Sequence, residues 1–403
     1  MATDPVEQIH AEEIDSGFST DLGKALRQLA RLDPSPNVPY LSVYLDWRPE
    51  GERPQMRGAK TVFDHRADRL LEQYPDDSEA RKSLEQDIQQ VKTFLGSGID
   101  PSVHGIIIIA NNSKGVFETF VLAIPVETEV STGPTPDLVK MVRIVEDFPR
   151  YAVLVADQKD AVLTVINRAA RIASVEVRGD DAANHHAQGG WSQRRFQTRN
   201  EERRAHFARA IAEETRRALS EGNIGMLVVA AGDVMASALQ AEFHSEVKKR
   251  IVGNIHLDIK ATYDEIREAT MPIVGNAENQ REMDTVTTLL DQVGADNQGV
   301  VGVEETLQAL QRGQVMTTVM SSEFSASGWA DYDLNLYGVG PVPDSHPAGG
   351  DLDSLHEVDL AEEIVRLTVV TDAEGEIIHS GGAAAAKLGD HQVGGILRFT
   401  TDD

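Results

Sequence analysis

Apolar and polar positions alternate along the chain in a pattern that predicts short buried strands separated by amphipathic helices. In the first part of the chain, the apolar runs Tyr40–Leu45, Gly105–Ala110 and Val116–Ala123 are predicted strands. Charged segments with helical spacing predict helices at about Arg57–Gln73 and Asp77–Leu95. Residues 1–148 are therefore expected to form one α/β unit.

The middle of the chain, residues 149–264, repeats this alternation around a long polar segment. Its predicted strands are Tyr151–Val155, Ala161–Asn167, Ile172–Val177 and Ile224–Ala231. Its predicted helices are about Asn200–Ser220 and Val234–Lys249. Strands and helices in this order favour a mixed sheet covered by helices.

The last part of the chain, residues 265–403, is less regular. Its predicted elements are a helix at about Asn279–Gln292, a helix beginning at Val303 and stopped by Gly313, a strand at Val315–Met320, a helix near 356–364 and a strand at 366–370. Residues 322–353 are rich in Gly, Pro, Ser and Asp, so an irregular loop is expected there. The predicted fold class is α/β in three domains, 1–148, 149–264 and 265–403, each a mixed sheet packed with helices.

Composition narrows the possible chemistry. The chain has 403 residues, 41% of them apolar and 26% charged, which is typical of a globular protein. It has no Cys, so disulfides, thiol catalysis and thiolate metal sites are excluded. The start of the chain lacks the features of a signal peptide, and the aliphatic cluster Ile106–Ile109 is too short to cross a bilayer. We therefore expect a cytoplasmic protein without membrane contact.

Charge is distributed unevenly. The formal net charge is -27, and residues 265–403 hold 25 acidic against six basic residues. In contrast, residues 185–217 contain eight Arg and four Glu around the glycine pair Gly189-Gly190. A basic segment in an acidic chain is typical of contact with a phosphate-rich partner, and the acidic part is expected to promote solubility.

The helix after the glycine pair has two distinct faces. Phe207, Ile211, Thr215 and Ala218 share an apolar face, which predicts packing against a sheet. The second face, about 100° away, carries Arg199, Arg203, His206 and Arg217.

Three landmarks resemble one protein family in their order and spacing. They are the Gly-Gly loop followed by SQRRFQ and an Arg-rich helix, the segment GVEETLQALQRGQVMTTVMS, and the terminal VGGILRF. Together they are similar to the class I release factors of archaea and eukaryotes, to their Pelota relatives and to the Vms-type peptidyl-tRNA hydrolases, a group that includes hibernation proteins such as Balon. The similarity covers residues 150–403, and residues 1–148 only in general layout. It implies a three-domain, release-factor-like architecture.

The resemblance also implies a site. Release factors of this family carry Gly-Gly-Gln at the loop tip, whereas Trp191 follows the glycines here. The Vms-type pattern Gly-x-x-Gln is matched by Gly190-Trp191-Ser192-Gln193, which implies Gln193 as the catalytic glutamine and Gly189 and Gly190 as the hinge. The residues expected to contact RNA are Trp191, Ser192, Arg194, Arg195, Arg199 and Arg203.

The resemblance implies that the protein binds the ribosome. The partners would be the rRNA of the peptidyl transferase centre, peptidyl-tRNA and a translational GTPase, with the protein monomeric off the ribosome. The Asn-Ile-Lys-Ser loop of codon-reading relatives is absent, and Arg57-Gly58-Ala59-Lys60-Thr61 stands near its place. Entry to the ribosome without codon reading is therefore expected. No cofactor or metal is expected, since His185-His186 has no third ligand at suitable spacing.

Three functional hypotheses remain open at the level of sequence. In the first, the protein hydrolyses peptidyl-tRNA on stalled ribosomes. In the second, it occupies the same site without catalysis, as a hibernation or rescue factor. In the third, it cleaves RNA at tRNA ends, although no acid-base pair accompanies the basic loop. The simpler alternatives are that Gly189-Gly190 is a surface turn and that Glu201 or Glu202 neutralises nearby arginines.

Overall fold

The computed structural model describes residues 10–12, 22–49, 58–147, 150–166, 173–178, 192–295 and 297–400. For residues 10–12, 147, 173–178 and 192–200 it describes the backbone alone. The helices are α1 (Leu22–Leu29), α2 (Gly58–Leu71), α3 (Glu79–Leu95), α4 (Val139–Asp147), α5 (Ser192–Glu221), α6 (Asp233–Glu242), α7 (Ser245–Arg250), α8 (Tyr263–Gly294), α9 (Val303–Gln311), α10 (Leu360–Val370) and α11 (Ala383–Leu388).

The strands form four sheets. They are β1 (His10–Glu12), β2 (Tyr40–Asp46), β3 (Gly105–Asn111), β4 (Val116–Leu122), β5 (Glu129–Gly133), β6 (Tyr151–Ala156), β7 (Asp160–Ile166), β8 (Ala173–Arg178), β9 (Met226–Ala231), β10 (Ile251–Ile255), β11 (Gly299–Val301), β12 (Val315–Ser321), β13 (Ser327–Asp331), β14 (Leu336–Val339), β15 (His356–Asp359), β16 (Glu374–Ile378) and β17 (Val393–Leu397). The α/β fold class predicted from the sequence is confirmed.

The described residues fall into two compact units. One comprises those within 1–17 and 148–278, and the other those within 18–147 and 279–400. The division of the chain into three domains, at 148 and 264, stays a prediction. Within the second unit, residues 18–147 contain one sheet and residues 279–400 contain two.

The first unit is built on one six-stranded sheet in the order β1-β8-β7-β6-β9-β10. Strands β6, β9 and β10 run parallel to one another, and the other pairs are antiparallel. Successive residues of a strand face opposite sides of a sheet. Ala152 and Leu154 therefore join the core with α5 and α6, whereas Tyr151, Val153 and Val155 join the core with the start of α8.

The second unit contains three sheets. Residues 18–147 form an antiparallel sheet in the order β4-β3-β2-β5, whose strand β3 is buried along its whole length. Residues 279–400 form the mixed sheet β11-β17-β12-β16, in which β12 and β16 are parallel, and the antiparallel sheet β14-β13-β15.

Two predicted helices have different bounds in the structure. The helix expected at Val234–Lys249 is divided into α6 and α7, because Phe243 adopts an extended conformation (φ -62°, ψ 133°) and its side chain is buried in the core of the first unit. The helix expected at Asn279–Gln292 is part of α8, which begins at Tyr263 and continues through Pro272. Thr262 and Glu265 form reciprocal hydrogen bonds that start α8 sixteen residues before the predicted helix.

The predictions for residues 322–370 were wrong in three places. The expected irregular loop contains β13 and β14, whose Tyr337 is buried. The helix expected near 356–364 is preceded by strand β15, because Asp359 caps α10 through a hydrogen bond from the Ala361 N–H (2.8 Å). The strand expected at 366–370 is the second half of α10, since burial of Leu367 outweighs the strand preference of the neighbouring β-branched residues.

Candidate functional site

The Arg-rich helix α5 packs one face onto the sheet of the first unit. Ile211 and Thr215 are buried, and Phe207 and Ala218 pack against the same core. The apolar face predicted from the sequence is therefore confirmed. Arg203, His206 and Arg217 are exposed on the other face, as predicted. The packed face fixes the direction in which α5 presents its arginines.

Two arginines from outside α5 hold its C-terminal end. Arg250 Nη1 donates to the carbonyl oxygens of Leu219 (3.0 Å) and Ile224 (3.1 Å). Arg150 Nη1 donates to the carbonyl oxygen of Gly222 (3.2 Å). The last carbonyl groups of a helix have no partner within the helix, and cations are favourable there. These contacts anchor the end of α5 that lies away from the glycine pair.

The arginines in the C-terminal half of α5 are paired with carboxylates. Arg209 makes two hydrogen bonds to Glu242, at 2.9 and 3.2 Å. Arg216 pairs with Glu213 at 2.5 Å, and this hydrogen bond lowers the pKa of the Glu213 carboxyl. Arg217 pairs with Glu214, also at 2.5 Å. Little positive charge is therefore available to a partner from this half of the helix.

The loop-proximal half of α5 is different. Arg203 is exposed and Arg204 is half-buried. Among the described side chains, no carboxylate lies within 4.0 Å of either guanidinium group. Glu201 and Glu202, which the sequence offered as neutralising partners, are exposed and do not pair with these two arginines. Uncompensated positive charge therefore lies on the half of α5 that is nearer to the loop.

The predicted site residues are only partly covered by the structure. Gly189, Gly190 and Trp191 lie outside the described residues, as do His185 and His186. The backbone is described, without side chains, for Ser192, Gln193, Arg194, Arg195 and Arg199. The catalytic assignment of Gln193 therefore stays a prediction. What the backbone adds is that α5 begins at Ser192, so Gln193 belongs to its first turn.

The first turn of a helix has a chemistry of its own. Its backbone N–H groups have no acceptor within the helix, and the helix dipole places partial positive charge there. Phosphates and developing oxyanions are stabilised by such groups. Glutamine adds an uncharged donor and acceptor. A loop joined to this turn could therefore bind an anion and orient a water molecule without a conventional acid-base pair.

A buried cluster in the second unit has the residue types of a hydrolase triad but not its arrangement. Asp331 accepts hydrogen bonds from Ser354 Oγ (2.9 Å) and from His346 Nε2 (2.9 Å). The serine thus bonds the aspartate and not the histidine, and the His346 side chain is 1% exposed. Burial raises the pKa of Asp331, but the Leu334 N–H, His346 and Ser354 outweigh it and lower the pKa to about 2. This cluster holds the segment after β14 in place, and no motif in the sequence predicted it.

In the described part of the chain, no group of three or more His, Asp or Glu side chains is arranged to hold a metal ion. None of the helices within that part has both the length and the apolar character needed to cross a membrane.

The sequence matches a known family model over the middle of the chain. Residues 136–274 match the model of bacterial archaeo-eukaryotic release factor family 10. This range contains α5, the glycine pair and Gln193. Peptide chain release factor subunit 1 of Thermococcus onnurineus is 22% identical over 272 residues, and that of Pyrococcus abyssi is 22% identical over 271 residues. Each match covers 61% of this chain and spans 64% of the length of the relative.

Among solved structures, similarity is found to a ribosome-bound archaeal Pelota described together with ABCE1. It covers 98% of this chain and 100% of that chain, with 14% identity and a TM-score of 0.42.

Proposed function

We propose that this chain, which is similar to the bacterial archaeo-eukaryotic release factors over residues 136–274, acts on ribosomes. In the proposal, residues 148–278 enter the A site and bring Gly189, Gly190 and Gln193 to the ester of a stalled peptidyl-tRNA. The ester is then hydrolysed, and the peptide is released. Recognition is independent of the codon, and the protein works in the cytoplasm.

The distribution of charge along α5 is the observation that carries this proposal. Arg209, Arg216 and Arg217 are paired with carboxylates, whereas Arg203 and Arg204 have no such partner among the described side chains. Positive charge without a carboxylate partner thus lies on the half of α5 that also contains Gln193. Phosphate groups of rRNA or of a tRNA acceptor stem are the partners that such arginines fit.

The distribution of charge along the whole chain supports the same part of the proposal, namely which residues approach RNA. Residues 148–278 contain 18 acidic and 18 basic residues, whereas residues 279–403 contain 22 acidic and five basic residues. The phosphates of RNA would therefore repel the negatively charged residues 279–403 more strongly than the neutral residues 148–278. This favours the middle of the chain as the part that approaches RNA.

The proposed chemistry needs few groups from the protein. Ester hydrolysis requires an aligned water molecule and stabilisation of the oxyanion. Gln193 would orient the water through its side-chain amide, and the N–H groups at the start of α5 would face the developing negative charge. The glycines permit close approach of the backbone to the ester.

A second function fits the same surface. A rescue or hibernation factor would place the loop in the A site, exclude tRNA and release nothing, and could act together with a translational GTPase. The charge distribution on α5 serves this role equally well, because it concerns binding and not chemistry.

Peptide release from purified stalled ribosome complexes separates the two functions. We expect Gln193→Ala to reduce the rate of release at least about a hundredfold while ribosome binding is unchanged, because one preorganised donor contributes about that much to such a reaction. Gln197→Ala is the matched control, since Gln197 lies one turn further along α5. Its release rate should equal that of the wild type.

The outcomes of this experiment are distinct. Wild-type protein that binds ribosomes and releases no peptide would favour the non-catalytic factor. Full release by the Gln193→Ala protein would remove Gln193 from the chemistry. A defect of equal size in Gln197→Ala would show that the start of α5 had merely been disturbed.

A further inference from the structure

Helix α4 joins the two sequence segments of the second unit. It belongs to residues 18–147, and it also contacts α10 and β16 of residues 279–400. We refer to this junction as the α4 seat: α4 with Glu362 at its start and with Arg281 and Glu376 at its end. Ionisable side chains from residues 279–400 meet α4 at both of its ends.

At the start of α4, a carboxyl group from α10 takes the place of a helix cap. Glu362 Oε2 accepts hydrogen bonds from the N–H groups of Leu138 (2.6 Å) and Val139 (3.1 Å). These two N–H groups precede the first complete turn and have no acceptor within α4. The cap of α4 is thus supplied by a residue more than 220 positions away in the sequence.

A second carboxylate, that of Asp137, lies beside Glu362, and only its Oδ2 has donors, Ser131 Oγ and Lys140 Nζ (both 3.3 Å). Asp137 Oδ1 is buried, and no donor reaches it among the described residues. A buried acceptor without a donor is unfavourable, and so are two adjacent ionised carboxylates. One proton on Glu362 would resolve both problems, because Glu362 could then donate to Asp137.

The surroundings favour that proton. Burial and the neighbouring Asp137 carboxylate raise the pKa of Glu362 well above its usual range, and the N–H groups of Leu138 and Val139 oppose the shift. The other ionisable groups around this end are Tyr44, Glu129, Lys140, Glu363 and Arg366. The cations among them are already engaged, since Lys140 pairs with Glu129 and Asp137, and Arg366 with Glu363.

The other end of α4 carries a similar excess of carboxylates. Arg281 bridges Glu146 of α4 (3.2 Å) and Glu376 of β16 (3.1 Å). Glu282 lies beside them and pairs with His379 Nδ1 at 2.5 Å. Burial raises the pKa of Glu146 to about 7, with Arg281 opposing and Glu376 contributing to the shift. Burial also raises the pKa of Glu376.

We propose that the α4 seat is a proton-controlled latch, which holds residues 18–147 against residues 279–400 while Glu362 and Glu146 carry protons and loosens when they lose them. The seated state binds more protons than the released state. Seating is therefore strongest below the pKa of free glutamate and weakens as pH rises toward and past about 7. The latch lies at the point where the chain leaves the second unit for residues 148–278.

Hydrogen exchange of α4 amides measures the latch in the full-length protein. In the wild type we expect their protection, corrected for the intrinsic effect of pH, to fall about tenfold or more between about pH 6 and 8.5. In the double variant Glu146→Gln/Glu362→Gln, the neutral amides replace the protonated carboxyls, so protection should stay high throughout. The single variants should lie between these two.

A matched control and a second measurement make the test specific. Glu357→Gln removes an exposed negative charge from β15 without touching the seat, and it should behave as the wild type. Because the chain has no Cys, spin labels on Lys114→Cys and Asp390→Cys report the distance between the two segments. We expect that distance to lengthen or broaden at high pH in the wild type and not in the double variant.

Three outcomes would overturn the proposal. The first is wild-type protection that does not change with pH. The second is a double variant with the pH dependence of the wild type. The third is a control variant that shifts as much as the double variant. Protection of β3 and β12, one in each segment of the second unit, shows whether each variant is folded.

Discussion

The ionisation of a buried side chain depends on its surroundings, which the sequence does not reveal, and Asp87 is an example. Asp87 lies within α3 and its side chain is fully buried. Neither of its carboxylate oxygens has a hydrogen-bond partner within the described residues. Burial raises the pKa of Asp87 to about 7, and the backbone N–H of Asn112 opposes the shift without reaching hydrogen-bond geometry. At the residue scale this side chain is a cost to stability.

We expect Asp87→Asn to stabilise residues 18–147 at pH 8 by about 1–3 kcal/mol. Native Asp87 holds a proton up to about pH 7, whereas the unfolded side chain loses it near pH 4. The stability of the wild type therefore falls as pH rises between these values, and the variant, which does not titrate, gains most above about pH 7. Hydrogen exchange of the β3 amides at pH 5 and pH 8 measures the difference.

Glu118→Gln, an exposed change on β4, serves as the control for this prediction. It should leave both values unchanged. A gain from Asp87→Asn that is the same at pH 5 and pH 8 would mean that ionisation of Asp87 is not the cause.

Several elements depend on partners that are distant in the sequence. Helix α5 ends against Arg250 and Arg150, and α4 begins against Glu362. The position of Gly222 indicates where α5 stops, but the guanidinium groups that fix this end in space are contributed by other segments.

At the element scale we expect Arg250→Ala to lower the free energy of unfolding of the first unit by about 1–3 kcal/mol. The variant leaves the carbonyl groups of Leu219 and Ile224 without their charged donor. Lys249→Ala, an exposed change at the neighbouring position of α7, is the matched control. Urea titration followed by hydrogen exchange of β9 provides the measurement. Equal effects of the two changes would show that the cap contributes nothing.

Across the whole molecule, charge is segregated. Residues 148–278 are neutral overall, while residues 279–403 carry 17 more negative than positive charges. In the proposed function, this charge difference favours contact with RNA by residues 148–278 over contact by residues 279–403. Of the five arginines of α5 whose side chains the structure describes, three are paired with carboxylates, so in the proposed function the other two would contribute more to ribosome binding.

Neutralising two arginines in the loop-proximal half of α5 should therefore have a different effect from neutralising two in its C-terminal half. Arg203→Gln/Arg204→Gln should weaken ribosome binding and reduce the slope of log K against log salt by about 1–2, since each phosphate contact contributes somewhat less than one. Arg216→Gln/Arg217→Gln removes the same charge from paired residues and should leave the slope unchanged. Binding measured by sedimentation at several salt concentrations tests this. Equal slopes in both variants would remove the loop-proximal half of α5 from the interface.

By itself, the sequence determined the elements whose apolar pattern is strong. Strands β2, β3, β6 and β9 and the buried face of α5 follow from apolar runs and helical spacing, because burial of those side chains dominates their conformation. The sequence also located the basic segment and the glycine pair, since these are properties of composition.

Only the tertiary structure decided the rest. Strands β13 and β14 are short and lie in a segment rich in Gly, Pro, Ser and Asp, so they are stable only within their sheet and against the buried Asp331 cluster. The assignment of paired and unpaired arginines on α5, and the cap that Glu362 places on α4, depend on groups far apart in the chain. Such contacts cannot be predicted from local patterns, because the free energy of a charged group is set by the groups that surround it in space.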